Sequence, residues 1–268
     1  MKRREKISVL TAYDYSTARL CDKAGIDILL VGDSAGMVML GYGSTMPVGM
    51  QEMMLFCGAV ARGTKRAMIV GDMPFGSYQP SPNLAIENAI HLIKIGCDAV
   101  KLEGGAEIAG TIKAIVDGGI PVMGHIGLRP QTSSLWEGYK LQGRTKEAAN
   151  RLIEDAIALE EAGVFSIVLE MIASEVGDAI TRRVSVPTIG IGSGPSCDGQ
   201  VLVLHDMLGI YQDIQPRFVK RYSELSISIV DAVSEYSRDV KSGKFPEESN
   251  TFYMNTEEMV KWKNERKR

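Results

Sequence analysis

Residues 67–103, AMIVGDMPFGSYQPSPNLAIENAIHLIKIGCDAVKLE, contain a whole strand–helix–strand unit. Ala67-Met68-Ile69-Val70 is a short apolar run without polar alternation, the pattern of a parallel strand covered by helices. It ends at Gly71-Asp72, and a helix is predicted from about 82 to 95, closed by Gly96. Ala99-Val100-Lys101-Leu102 is the next strand, and Glu103 follows it.

The same rhythm extends in both directions. Upstream, strands are predicted at 7–10 and 28–31, with helices at about 16–24 and 50–62. Downstream, helices at about 107–116, 145–162 and 175–181 separate strands at 121–124, 165–169 and 188–191, and 201–204 supplies an eighth. Eight such units predict an α/β protein with a (β/α)₈ TIM barrel. A doubly wound sheet is the alternative, but no G-x-G-x-x-G follows the first strand. A further helix is expected at 225–240. The charged, proline-broken segment from about 242 to 268 reads as a tail on a single-domain chain, 1–268.

The 268 residues are 45% hydrophobic, enough for a sizeable core, and carry a net charge of -3. That balance gives no reason to expect nucleic acid or an anionic membrane as partner. No apolar stretch reaches the roughly 20 residues of a membrane span, and no signal-like apolar segment follows the basic start. Cys21, Cys57, Cys97 and Cys197 form no CxxC pair, so free thiols in a cytoplasmic protein are expected.

Three successive strand ends carry acids: Asp33, Asp72 and Glu103. Each could cap a helix or begin a turn. Together at the carboxyl end of a barrel they would repel, and a hard dication such as Mg²⁺ would compensate. Lys101 lies two residues before Glu103, on the same strand face. It reads either as an ion-pair partner or as a cation meeting an anionic substrate. His125 and Glu170 end the fifth and sixth strands, His125 placed to bind a carboxylate or relay a proton, Glu170 to act as general base. Gly190, Gly192 and Gly194 form a turn that could cradle an anion or simply be tight. The long 125–144 segment reads as a lid or binding element.

These motifs closely resemble the ketopantoate hydroxymethyltransferase family. The resemblance runs through residues 10–14 (LTAYD), 30–34 (LVGDS), 72–78 (DMPFGSY), 100–105 (VKLEGG), 124–128 (GHIGL), 188–194 (TIGIGSG) and 197–200 (CDGQ), covering about 7–222 in order. It implies a barrel enzyme that uses Mg²⁺ and 5,10-methylenetetrahydrofolate to hydroxymethylate 3-methyl-2-oxobutanoate, giving 2-dehydropantoate for pantothenate and coenzyme A. It also implies a homo-oligomer, typically a decamer. By motif, Asp33, Asp72 and Glu103 match metal ligands, and Asp33, Ser34, Asp72, Lys101 and His125 match substrate-contacting positions. Glu170 matches the catalytic base. A barrel lyase on 2-oxo acids and a non-catalytic barrel are the rival readings.

Overall fold

The computed structural model describes residues 5–132 and 140–266. Eight parallel strands close into a barrel in chain order: β1 Ile7–Thr11, β2 Ile28–Val31, β3 Met68–Asp72, β4 Ala99–Glu103, β5 Val122–Gly127, β6 Ser166–Glu170, β7 Thr188–Ile191 and β8 Gly199–Leu202. The expected (β/α)₈ architecture is therefore present. Helix α1 Tyr15–Ala24 follows β1, and α2 Ala35–Val38 and α3 Met50–Gly63 follow β2. Helices α4 Pro82–Lys94, α5 Ala109–Asp117, α6 Lys146–Glu161 and α7 Ser174–Arg183 follow β3 to β6 in turn. β7 leads to β8 without a helix among the described residues, and α8 Leu204–Met207 follows β8.

Strand alternation sorts the apolar residues into two layers. Leu30, Val70, Ala99, Met123, Val168 and Val201 fill the barrel interior, while Leu29, Val31, Ile69, Val100 and Leu102 pack outward. Helix starts follow local chemistry. Ser81 caps α4, accepting from the Leu84 N–H, and Pro82 opens it where no intrahelical donor is needed. Asp14 caps α1 by accepting from the Ser16 and Thr17 N–H groups. All four cysteines are free and buried.

Several strand boundaries shift from the sequence expectation: β1, β4 and β6 each end one residue later and β3 two, so that Asp72 and Glu103 lie within strands, and β5 and β8 shift most. β5 runs on to Gly127, so His125 lies within a strand. β8 begins at Gly199, two residues early, because Gly199 pairs with Ile7 at close range: a Cβ there would sit 2.5 Å from the Ile7 carbonyl oxygen. Leu204 correspondingly opens α8.

The chain divides into two compact units, Met1–Tyr222 and Ser223–Arg268. The second holds α9 Leu225–Ser242, as expected, and α10 Thr256–Glu265, capped by Asn255 within the stretch read as a tail. Among the described residues no helix is long and apolar enough to cross a membrane.

Candidate active site

The alternation that buries Val70, Ala99, Met123 and Val168 inside the barrel continues to its carboxyl end. It turns Asp72, Lys101, Glu103, His125 and Glu170 inward. Strand register then sets them side by side, Asp72 against Lys101 and Glu103 against His125. Asp33 joins from the turn after β2, its backbone N–H 3.4 Å from Asp72 Oδ2. All six, with Ser34, line one cavity.

Lys101 Nζ donates to both Asp72 oxygens, at 2.7 and 2.8 Å, and lies 3.4 Å from Glu103 Oε1. The expected Lys101–Glu103 pair thus exists, but Asp72 is the closer partner. His125 sits between two carboxylates, Nδ1 3.3 Å from Glu103 and Nε2 3.2 Å from Glu170. Neither ring nitrogen makes a well-aligned hydrogen bond, so these are close charge contacts. The Ser34 hydroxyl is 2.8 Å from that of buried Tyr13.

The electrostatics are unbalanced. Four carboxylates face one lysine and one imidazole. Burial, then the charges of Asp72 and Glu103, push Asp33 well above the usual carboxylate range. Asp72 is also raised, chiefly by burial, against the pull of Lys101. Burial acts on Glu103 in the same direction but is outweighed by Lys101 and His125, which hold it low. Burial, the largest single influence, opposes a charged His125, yet Glu103 and Glu170 together outweigh it and raise the imidazole to about 9.

Oxygens of Asp33, Asp72 and Glu103 lie within 4.8 Å of one another, and buried Asp33 Oδ2 has no hydrogen-bond partner. A compact all-oxygen donor set with one orphaned carboxylate oxygen fits a hard divalent cation. The absence of histidine or cysteine from the cluster disfavours zinc.

A family model for ketopantoate hydroxymethyltransferase matches residues 1–248. The chain belongs to the ketopantoate hydroxymethyltransferase family. A 3-methyl-2-oxobutanoate hydroxymethyltransferase of Nitrosopumilus maritimus (strain SCM1) is 60% identical, over 97% of this chain and 93% of that one. A relative of the same name from Cenarchaeum symbiosum (strain A) is 58% identical, over 96% and 98%. Among solved structures, phosphonopyruvate hydrolase superposes with a TM-score of 0.60 at 14% identity, covering 98% of this chain and 92% of that one. At that identity the likeness shows the fold alone.

Other residues around the cavity of this family member escaped the sequence reading. Gln131, fully buried, donates its backbone N–H to Glu103 Oε2 at 3.2 Å and receives the Tyr78 hydroxyl at 2.9 Å. A buried glutamine in a loop leaves no periodic signal. Met171, next to Glu170, lines the cavity with a φ of 50°, a strained backbone for a non-glycine residue. The segment 203–218 forms much of the remaining wall. The turn at 190–194 lends Ile191 to the cavity wall, but Gly190, Gly192 and Gly194 do not line it; a Cβ at Gly192 would press to 2.9 Å from the Phe218 ring. Tight packing accounts for that glycine. His91 is exposed on α4, away from this chemistry. Pro130 reaches the cavity from the expected lid, whose residues 133–139 lie outside the described ones.

Proposed function

We propose that the chain transfers a hydroxymethyl group from 5,10-methylenetetrahydrofolate to carbon 3 of 3-methyl-2-oxobutanoate, releasing tetrahydrofolate and 2-dehydropantoate. The carrying observation is the convergence of Asp33, Asp72 and Glu103 on one ion-sized space beside Lys101, His125 and Glu170, in a chain 60% identical to a protein of that name. Mg²⁺ held by the three acids would supply Lewis-acid stabilisation of negative charge on the keto oxygen, worth several kcal/mol.

Glu170 is the base that removes the carbon 3 proton. Its side chain is 16% exposed against 2% for His125, so it is the carboxylate open to a bound substrate while the imidazole stays behind it. His125, charged and pinned between Glu103 and Glu170, steadies the base and offers positive charge to the substrate carboxylate. Lys101 neutralises Asp72 and adds positive charge to the same region. Ser34, oriented by Tyr13, donates a hydrogen bond to the substrate anion. One water enters per turnover: its hydroxyl becomes that of the hydroxymethyl group, while its other proton and the carbon 3 proton taken up by Glu170 supply the two N–H groups of the released tetrahydrofolate.

The working protein is a homo-oligomer, a decamer by family resemblance, with the barrel unit as its catalytic part. Its four unpaired cysteines fit the reducing cytoplasm.

The test is twofold. Purified protein with Mg²⁺ should exchange the carbon 3 proton of 3-methyl-2-oxobutanoate for deuterium, followed by proton NMR, and should form product when the folate is added. Glu170→Gln should slow exchange by about 100-fold. Undiminished exchange would remove Glu170 as the base, and absence of product with every divalent metal tried would reject the reaction.

A further inference from the structure

The cavity encloses about 400 Å³, more than a five-carbon oxo acid fills. The acid cluster takes up one part of its wall. Another part comes from the chain after β8 and includes Asp206, Tyr211, Ile214, Pro216 and Phe218. None of these has a task in holding a small keto acid.

Asp206 stands out among them. Its Oδ1 is buried and has no hydrogen-bond partner. Burial raises its pKa to about 6, against the opposing charge of Arg221. A buried oxygen without a donor carries a penalty of about 1–3 kcal/mol, which an arriving N–H would relieve. The segment is anchored around it: the Gly209 N–H donates to the Asp206 carbonyl, and Ile210 and Tyr222 donate to those of His205 and Met207. His205 packs on the Tyr13 ring with centroids 5.5 Å apart, and the Tyr13 hydroxyl meets Ser34. This wall is thereby tied to the metal side of the cavity. Beside the basic side chain of Arg217, this wall carries Tyr211, Ile214, Pro216 and Phe218, aromatic or apolar groups that suit a planar ring.

We propose that Asp206 binds the aminopyrimidinone edge of the one-carbon donor, its carboxylate accepting the ring N–H and the neighbouring exocyclic amino N–H as a parallel pair. Two such charge-assisted bonds fix both position and orientation of a flat ring. A second oxo acid is a poor occupant, because its own carboxylate would be repelled. This assignment rests on the folate-dependent reaction above and adds the residue that recognises the folate.

The experiment uses the full-length enzyme with Mg²⁺, the variants Asp206→Asn and Asp206→Ala, and a 2-desamino analogue of the donor. Wild-type enzyme should use the analogue with a KM about tenfold or more above that of the natural donor. Both variants should lose this discrimination and show a raised KM for the natural donor, with folate-free deuterium exchange at carbon 3 within about twofold of wild type. Equal KM values for analogue and donor on the wild-type enzyme would overturn the proposal without needing a variant. So would a parallel fall of exchange and transfer, which would make Asp206 a support of the acid cluster. Exchange without any folate-dependent product in the wild type would instead sink the reaction on which the proposal stands.

Discussion

Lys101 shows how one residue can be read correctly and incompletely. The two-residue spacing to Glu103 places both on one strand face, but the shorter contacts are to Asp72, on a different strand. Cross-strand register supplied that partner, and no local pattern encodes it. Asp33 is the harder case. It follows the outward-facing Val31 by two residues, so strand alternation alone would send it away from the barrel interior. The turn at Gly32, where the strand has ended, brings it back to Asp72. In the metal-free enzyme Lys101 is the main counter-charge to buried carboxylates, and burial's pull on its own pKa is outweighed by Asp72 and Glu103. Lys101→Met should therefore destabilise the metal-free protein by about 3–5 kcal/mol. Added Mg²⁺ should restore part of the loss, which a thermal melt with and without the ion would measure. A melting temperature unchanged by the substitution would mean the acids are held neutral.

At the scale of elements, the apolar runs and glycine stops located all eight strands, while strand ends were set by partners. Gly127 ends β5 with φ of 102°, and a Cβ there would lie 2.2 Å from the Glu170 carbonyl oxygen. The close approach holds β5 against β6 where His125 and Glu170 face each other. Gly127→Ala should cost about 3 kcal/mol of stability and displace Glu170, lowering carbon 3 exchange even in the fraction that folds. Retained melting temperature and exchange would show that the two strands can separate there without consequence. The short α8 marks the limit of reading from helical pattern, since four residues carry too little periodicity to recognise.

For the whole molecule, the decisive surface is α9. Ile229, Val233, Tyr236 and Val240 recur at helical spacing, and all are exposed in the single chain. Such a stripe in water calls for a cover, and copies of the same chain provide one in the proposed homo-oligomer. Sedimentation should give a mass several times the 29.2 kDa of one chain. Val233→Lys with Tyr236→Lys should lower that mass, whereas a wild-type monomer would refute the assembly. The sequence by itself determined the barrel, because eight apolar runs with helical crossovers have few other ways to bury their surfaces. It also determined which acids, lysine and histidine stand at the strand ends, because residue order along a strand is a local property. The tertiary structure alone decided that Asp33 rejoins Asp72, that His125 bridges Glu103 and Glu170, and that Asp206 completes the cavity wall. Those are distances between segments far apart in the chain, fixed only when closure of the sheet sets the register of every strand against its neighbours.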